Sequence, residues 1–211
     1  MRDGCSSKGR SVRSTAPILF NVKPKRLQTS AHLYKERYMT KTTCTTQRLR
    51  LRHFCLGDLD EAAVLFAHED MACGAVWQGA DRDNVAQWLQ AIRESYNLRT
   101  YGLWAVVHAD TCQMVGCCGI VGRQLDGKPV YELVCRINPL FRRHGYATEA
   151  LQAVCEHAFG NGLKRLYAVI AVEDVVSAHI AERMGMTQER ESVENGRAVR
   201  IFSLGTEDGD P

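Results

Sequence analysis

The chain has 211 residues, 45% of them hydrophobic, 24% charged and 8% aromatic, with a net charge of +3. That length and apolar content suit one domain with a substantial core and exclude a chain too polar to fold. No apolar run reaches the roughly 18 residues that a membrane-spanning helix needs, and no secretory leader pattern is read, so neither a membrane nor export is expected.

The charge is unevenly spread. Residues 1–46 hold ten Lys and Arg against two acidic residues, Asp3 and Glu36, whereas residues 47–211 hold seventeen against twenty-two. The acidic body argues against nucleic-acid binding by the folded domain. The Ser-, Thr-, Arg- and Lys-rich first segment lacks periodicity and reads as a basic extension without fixed structure. It resembles an organelle transit peptide in composition; the favoured alternative is a translation start at Met39, with residues 1–38 dispensable and the protein cytoplasmic. The nine cysteines include no C-x-x-C pair, and no His pair sits near them at metal-ligand spacing. They read as reduced thiols serving as small apolar residues, with no metal.

Leu49 and Leu51, alternating with Arg48, Arg50 and Arg52, predict a first strand. A helix is expected from Gly57-Asp58 to about His68, with Asp58 as its N-cap. Met71–Arg82 is irregular and contains Trp77. A second helix, about Asp83–Asn97, carries Val85, Trp88, Leu89 and Ile92 on one face. Three strands follow: Gly102–Val107, Met114–Val121 and Val130–Ile137. Asp126-Gly127 is a hairpin signal between the last two, and short turns mean antiparallel pairing. The glycines at 116, 119 and 122 are no dinucleotide fingerprint, because no helix follows them.

A break at Asn138-Pro139 leads into Arg142-Arg143-His144-Gly145-Tyr146-Ala147-Thr148-Glu149. Apolar residues at Ala147, Ala150, Leu151, Val154, Cys155 and Ala158 form one helical face, with Glu149, Gln152, Glu156 and His157 opposite. The first turn of a helix presents unpaired N–H groups and about half a positive charge. Gly145 lets a ligand approach the backbone, and Arg142 and Arg143 add planar donors, so a pyrophosphate would fit here; an ordinary solvated basic turn is the plainer reading. Gly160-Asn161-Gly162 stops the helix, and Leu166–Val172 is an apolar strand, which makes a parallel β-α-β pair. Asp174 caps a further helix to Met184, closed by Gly185. Asn195-Gly196 turns a hairpin between Met186–Val193 and Arg197–Leu204, ahead of an acidic tail over 205–211.

The spacing Arg142-x-x-Gly145-x-Ala147 resembles the acyl-CoA motif of the GNAT superfamily of N-acyltransferases. With Tyr131–Pro139 before it and Gly145–Ala150 after it, the segment is similar to the RimJ/RimL-type branch, which acetylates α-amines of ribosomal proteins and various small amines. The resemblance covers about residues 47–204. It implies a single α+β domain, with a mixed, mostly antiparallel sheet of six to seven strands, a central parallel β-α-β pair and about four flanking helices. It implies acetyl-CoA as co-substrate and a primary amine as acceptor, a protein N-terminus or a small molecule, in a monomer or homodimer. The two parallel strands are expected to splay, with the pantetheine arm pairing to Val134, Cys135, Arg136 and Ile137. The pyrophosphate would lie on Arg142, Arg143, His144, Gly145, Tyr146, Ala147 and Thr148. Trp77 and Trp88 would border the acceptor, although both also read as core aromatics.

The chemistry needs a neutral amine, and an α-amine with a pKa near 7.7–8.0 is partly neutral already, unlike a lysine near 10.4. Glu132, a carboxylate in an apolar strand, is the candidate base, because burial would raise its pKa toward a useful range. Pairing with an arginine is the competing reading. Ser177 matches the serine of the branch's N-x-x-S pattern, which implies that it and Asp174 contact the cofactor and that Ser177 donates a proton to the departing thiolate; a plain small helix residue is the equal alternative. Asp174 stands where that pattern has Asn, and so can accept but not donate when ionised. The tyrosine that serves as acid in other branches would fall at Ala181. His144 is expected to offer a backbone N–H, and His179 to lie on the surface. These departures keep open a non-catalytic acyl-CoA-binding module as the alternative.

Overall fold

The computed structural model describes residues 40–67, 81–97 and 101–206. Trp77, Met39 and the acidic tail from 207 onward lie outside them. Strands β1 (Thr42–Thr45), β2 (Leu49–Arg52), β3 (Leu103–His108), β4 (Met114–Leu125), β5 (Lys128–Ile137), β6 (Arg165–Ala171), β7 (Thr187–Glu194) and β8 (Arg197–Gly205) form one sheet in the order β1-β2-β3-β4-β5-β6-β8-β7. Every neighbouring pair is antiparallel except β5–β6. Helices are α1 (Leu59–Phe66), α2 (Arg82–Ser95), α3 (Tyr146–Gly160) and α4 (Val175–Arg183).

The architecture is the expected α+β one, with an eighth strand. Thr42–Thr45, read from sequence as part of the basic extension, pairs with β2 along the sheet edge. Three of its four residues are threonines, whose branched side chains favour extended backbone.

Strand alternation divides the core. On one face Leu49, Leu51, Trp104, Val106, Cys118 and Leu133 pack under Leu151 and Val154 of α3. On the other, Leu103, Ala105, Val107, Cys117 and Val134 pack under α1 and α2 through Leu65, Val85 and Leu89. Strand β3 is buried on both sides, which explains its unbroken apolar run. The adjacent Cys117 and Cys118 point to opposite faces, as expected of a strand. The seven described cysteines are unpaired, and burial pushes the thiols of Cys44 and Cys55 up to about 11. A third cluster seats α4 on β6 and β8 through Ala178, Ala181, Ile170 and Phe202.

The glycines of β4 serve packing. A Cβ at Gly119 would lie 2.1 Å from the Gly102 carbonyl oxygen, and one at Gly116 equally close to that of Arg136. The backbones approach too closely there for any side chain.

Asp58 is not the cap expected of it. A 3-10 turn over Leu56–Asp58 precedes α1, and Asp58, at φ −86° and ψ −3°, makes no side-chain capping bond to the helix. Its carboxylate is fully buried and takes two 2.7 Å hydrogen bonds from Arg52 and one from the Cys55 N–H. The residue read from sequence as a helix cap is thus part of an internal clamp between β2 and the turn before α1. Helix α2 begins at Arg82, one residue before the expected start, because Asp81 caps it by accepting from the Asn84 N–H.

Candidate active site

The β5–β6 pairing is the local departure on which the site depends. Its ladder has one registered pair among the described residues, Glu132 with Tyr167. Beyond that pair, toward Ile137 and Ala171, no further β5–β6 pair is registered among the described residues, and this unzipped stretch is termed the wedge. The β4 side of β5 stays fully paired down to Gly116–Ile137, so only the β6-facing edge of Val134–Ile137 is left open. Two carbonyls on this edge are met by arginines instead of a strand. The Cys135 oxygen accepts from Arg136 and the Ile137 oxygen from Arg142, each at 3.0 Å. Such substitution is expected where a strand edge loses its neighbour, since backbone groups must find partners.

The basic turn lies at the mouth of the wedge. Asn138 caps a 3-10 turn over Pro139–Phe141 by accepting from the Leu140 N–H at 3.0 Å. Arg143 and Gly145 both take left-handed backbone conformations, φ 63° and 80°. Gly145 is needed for that torsion rather than for space, because a Cβ there would meet only Arg48, at an ordinary 3.5 Å. The first bond of α3 runs from the Glu149 N–H to the Gly145 oxygen, so the N–H groups of Tyr146, Ala147 and Thr148 point out of the helix end.

Arg143 and His144 are exposed, whereas Tyr146 is buried. Arg142 turns its Nε back to Ile137 and so joins the turn to the wedge. The His144 ring stacks on Tyr146, and its Nδ1 lies 2.7 Å from the Arg142 oxygen.

The turn is pinned from a distance. Glu149, which periodicity placed on the solvent side, accepts from the Thr46 hydroxyl at 2.5 Å and from the Arg48 N–H at 3.0 Å. It also pairs with the Arg48 guanidinium at 2.6 Å, and that guanidinium donates to the His144 oxygen. Burial pushes the Glu149 carboxyl up, but the bonds from Thr46 and Arg48 outweigh it and hold the group below its ordinary value. Thr46 and Arg48 lie about a hundred residues upstream, and nothing local in the sequence marks this latch.

Glu132 sits where the wedge closes. Its side chain is 18% exposed. Burial pushes its carboxyl up; Arg123 pulls it down without cancelling that, and the pKa stays above the ordinary carboxylate value. Arg123 Nη1 donates to its Oε2 at 2.9 Å. Glu132 is therefore a raised carboxyl in an apolar strand that is also paired to an arginine.

Asp174 is exposed at the start of α4, and its carboxylate accepts from the Ser177 N–H at 3.0 Å. That is an ordinary helix cap, a task Asn or Asp can perform equally. Ser177 is half-buried in the same turn, and its hydroxyl has no partner among the described residues. Ala181 is buried against β6 and β8. His179 is exposed. Trp88 packs edge-on against Phe54 and Phe66 in the core beneath α1 and α2, which favours its reading as a core aromatic.

A parallel strand pair registered at one position, followed by a glycine turn and a helix N-terminus, is an arrangement that can receive an acyl-CoA. Residues 48–187 match the model of the acetyltransferase (GNAT) domain family. The chain is 32% identical over 157 residues to the uncharacterized protein YkkB of Bacillus subtilis, covering 69% of this chain and 86% of that one. It is 26% identical to the uncharacterized N-acetyltransferase YnaD of the same organism, over 69% of this chain and 82% of YnaD. The structure of RimL, a ribosomal L7/L12 α-N-protein acetyltransferase in complex with coenzyme A, superposes with a TM-score of 0.68 at 15% identity, over 81% of this chain and all of RimL. The chain belongs to the GNAT family and is an N-acetyltransferase of that family. Among the described residues, no helix is long and apolar enough to cross a membrane, and no three His, Cys, Asp or Glu side chains are grouped to hold a metal ion.

Proposed function

We propose that the protein acetylates a primary amine, either a protein N-terminal α-amine or a small-molecule amine, by direct attack in a ternary complex. The observation that carries this reading is the single β5–β6 pair at Glu132, which puts a raised carboxyl at the closed end of the wedge. Acetyl-CoA supplies the acetyl group on its thioester. The open edge of Val134–Ile137 holds the pantetheine arm by backbone bonds. Arg142, Arg143 and the N–H groups from His144 to Thr148 hold the pyrophosphate, where the helix dipole and guanidinium charge act together.

Glu132 takes the proton from the acceptor nitrogen as that nitrogen bonds to the thioester carbonyl carbon. Its Oε2 is engaged by Arg123, which leaves Oε1 for the proton. The C–S bond then breaks, and Ser177 at the start of α4 passes a proton to the thiolate while taking one from solvent; Glu132 gives its proton up to solvent to close the cycle. An α-amine near pKa 7.7–8.0 asks less of such a base than a lysine would. The fold likeness to RimL supports the N-terminal class.

Thiol release from acetyl-CoA, measured against N-terminal peptides, polyamines, aminoglycosides and free amino acids, tests the reading. Release that depends on one acceptor class is expected. Coenzyme A binding without release across the panel would overturn it in favour of an acyl-CoA-binding module.

A further inference from the structure

Arg123 holds two carboxylates at once. Its Nη1 donates to Glu132 Oε2 at 2.9 Å, and its Nη2 donates to Glu194 Oε2 at 2.5 Å. The second contact is unusual for its position in the fold. Arg123 lies on β4 and Glu194 ends β7, and β5, β6 and β8 stand between those strands in the sheet. A direct contact means that the β4–β5 and β7–β8 hairpins approach each other on the face that carries Glu132. A second tie confirms the approach: Arg190 of β7 pairs with Asp126 in the β4–β5 turn. Both partners of Arg123 are mostly buried, with side chains 18% and 22% exposed, so solvent screens these contacts only partly.

We propose that Arg123 is a positioning residue for the acetyl transfer, fixing the Glu132 carboxylate by one oxygen, and that Glu194, from the last hairpin, sets how strongly Arg123 acts on it. The proposal rests on the reading of Glu132 as the base. The arrangement answers a physical conflict. A buried carboxylate paired to one arginine alone would be held ionised and acidic, and so would be a weak base. A second carboxylate on the same guanidinium draws off part of that field. The groups facing Glu132 are Arg123 from β4, Arg136 from its own strand, Tyr167 opposite it on β6 and Glu194 from β7. Arg123 and Arg136 favour the ionised form, and Glu194 with burial opposes it. The hairpin is therefore an electrostatic part of the site, and its seating is coupled to the strength of the base.

The test is a titration of the Glu132 carboxyl carbon by NMR, in full-length protein labelled at the glutamate side-chain carboxyls. The Glu132 signal is identified by its loss in E132Q. Replacing Arg123 by Ala should raise the Glu132 midpoint by about one pH unit or more, the scale of a close opposite charge. Replacing Glu194 by Gln, which keeps a hydrogen-bond acceptor but no charge, should lower it. Replacing Arg123 by Lys should bring the midpoint back toward wild type. Should R123A fail to fold, R123Q and E194Q carry the same opposed pair. A midpoint that stays put in either arm, or moves in the same direction in both, overturns the proposal. The underlying reading fails by a different route: full acetyl transfer by E132Q would remove Glu132 from the chemistry whatever the titrations show.

Discussion

Glu132 concentrates the residue-scale physics. A carboxyl whose folded pKa lies above its unfolded value stabilises the fold only below the unfolded value, and that contribution is lost as pH rises through the folded value. At neutral pH Glu132 is therefore a burden on stability, the usual signature of a group kept for chemistry. Replacing it by Gln should lower kcat at least tenfold, leave coenzyme A affinity unchanged, and leave Tm unchanged or raised. Isothermal titration and thermal melts check the last two. Glu149 runs the other way. Its lowered pKa contributes stability that is complete above about 4.5 and lost as pH falls through the folded value. Acid unfolding of Glu149→Gln should begin from a less stable protein at pH 6 and show a weaker dependence on pH below 4.5. A wild-type acid limb in that variant would count against the latch.

At the scale of elements, the wedge and the turn act as one unit. Both arginines are exposed, but Arg142 bonds the end of β5 and Arg143 takes the left-handed turn torsion, so the two are not interchangeable. Replacing both by Ala should weaken coenzyme A binding by a few kcal/mol, since a charge-assisted bond contributes about 1.5–3. Unchanged affinity would place the pyrophosphate elsewhere. The clamp between Arg52 and Asp58 belongs to the same scale. Its charges are nearly or fully buried, and removing one partner leaves the other's charge uncompensated. Asp58→Ala should cost about 3–5 kcal/mol of unfolding free energy in denaturant titration. A loss below 1 kcal/mol would show that the clamp is dispensable.

For the whole molecule, the relation between the basic extension and the domain is testable. A chain beginning at Met39 retains β1 and every described residue of the site, so its Tm and coenzyme A affinity should equal those of the full chain. Removing residues through Thr45 should lower Tm, because β1 completes the sheet edge beside β2 and Cys44 sits in the core under α3. Melts of the two truncations decide where the domain begins.

Periodicity and turn chemistry determined most of the secondary structure. The hairpins at Asp126-Gly127 and Asn195-Gly196 and the apolar face of α3 depend on residues close in the chain, and local order makes them readable. The motif Arg142-x-x-Gly145-x-Ala147 was readable for the same reason: a helix start, a left-handed glycine and two cations lie within six residues. Only the tertiary structure decided what depends on distant partners. Asp58 looked like a cap until Arg52 was seen to reach it across a turn. Glu149 looked solvated until Thr46 and Arg48 met it from over a hundred residues away. Arg123 bridges to residues nine and seventy-one positions away, on strands that no local pattern brings together. Electrostatic pairs at such separations leave no periodic trace, because either partner alone is an ordinary polar residue on a strand.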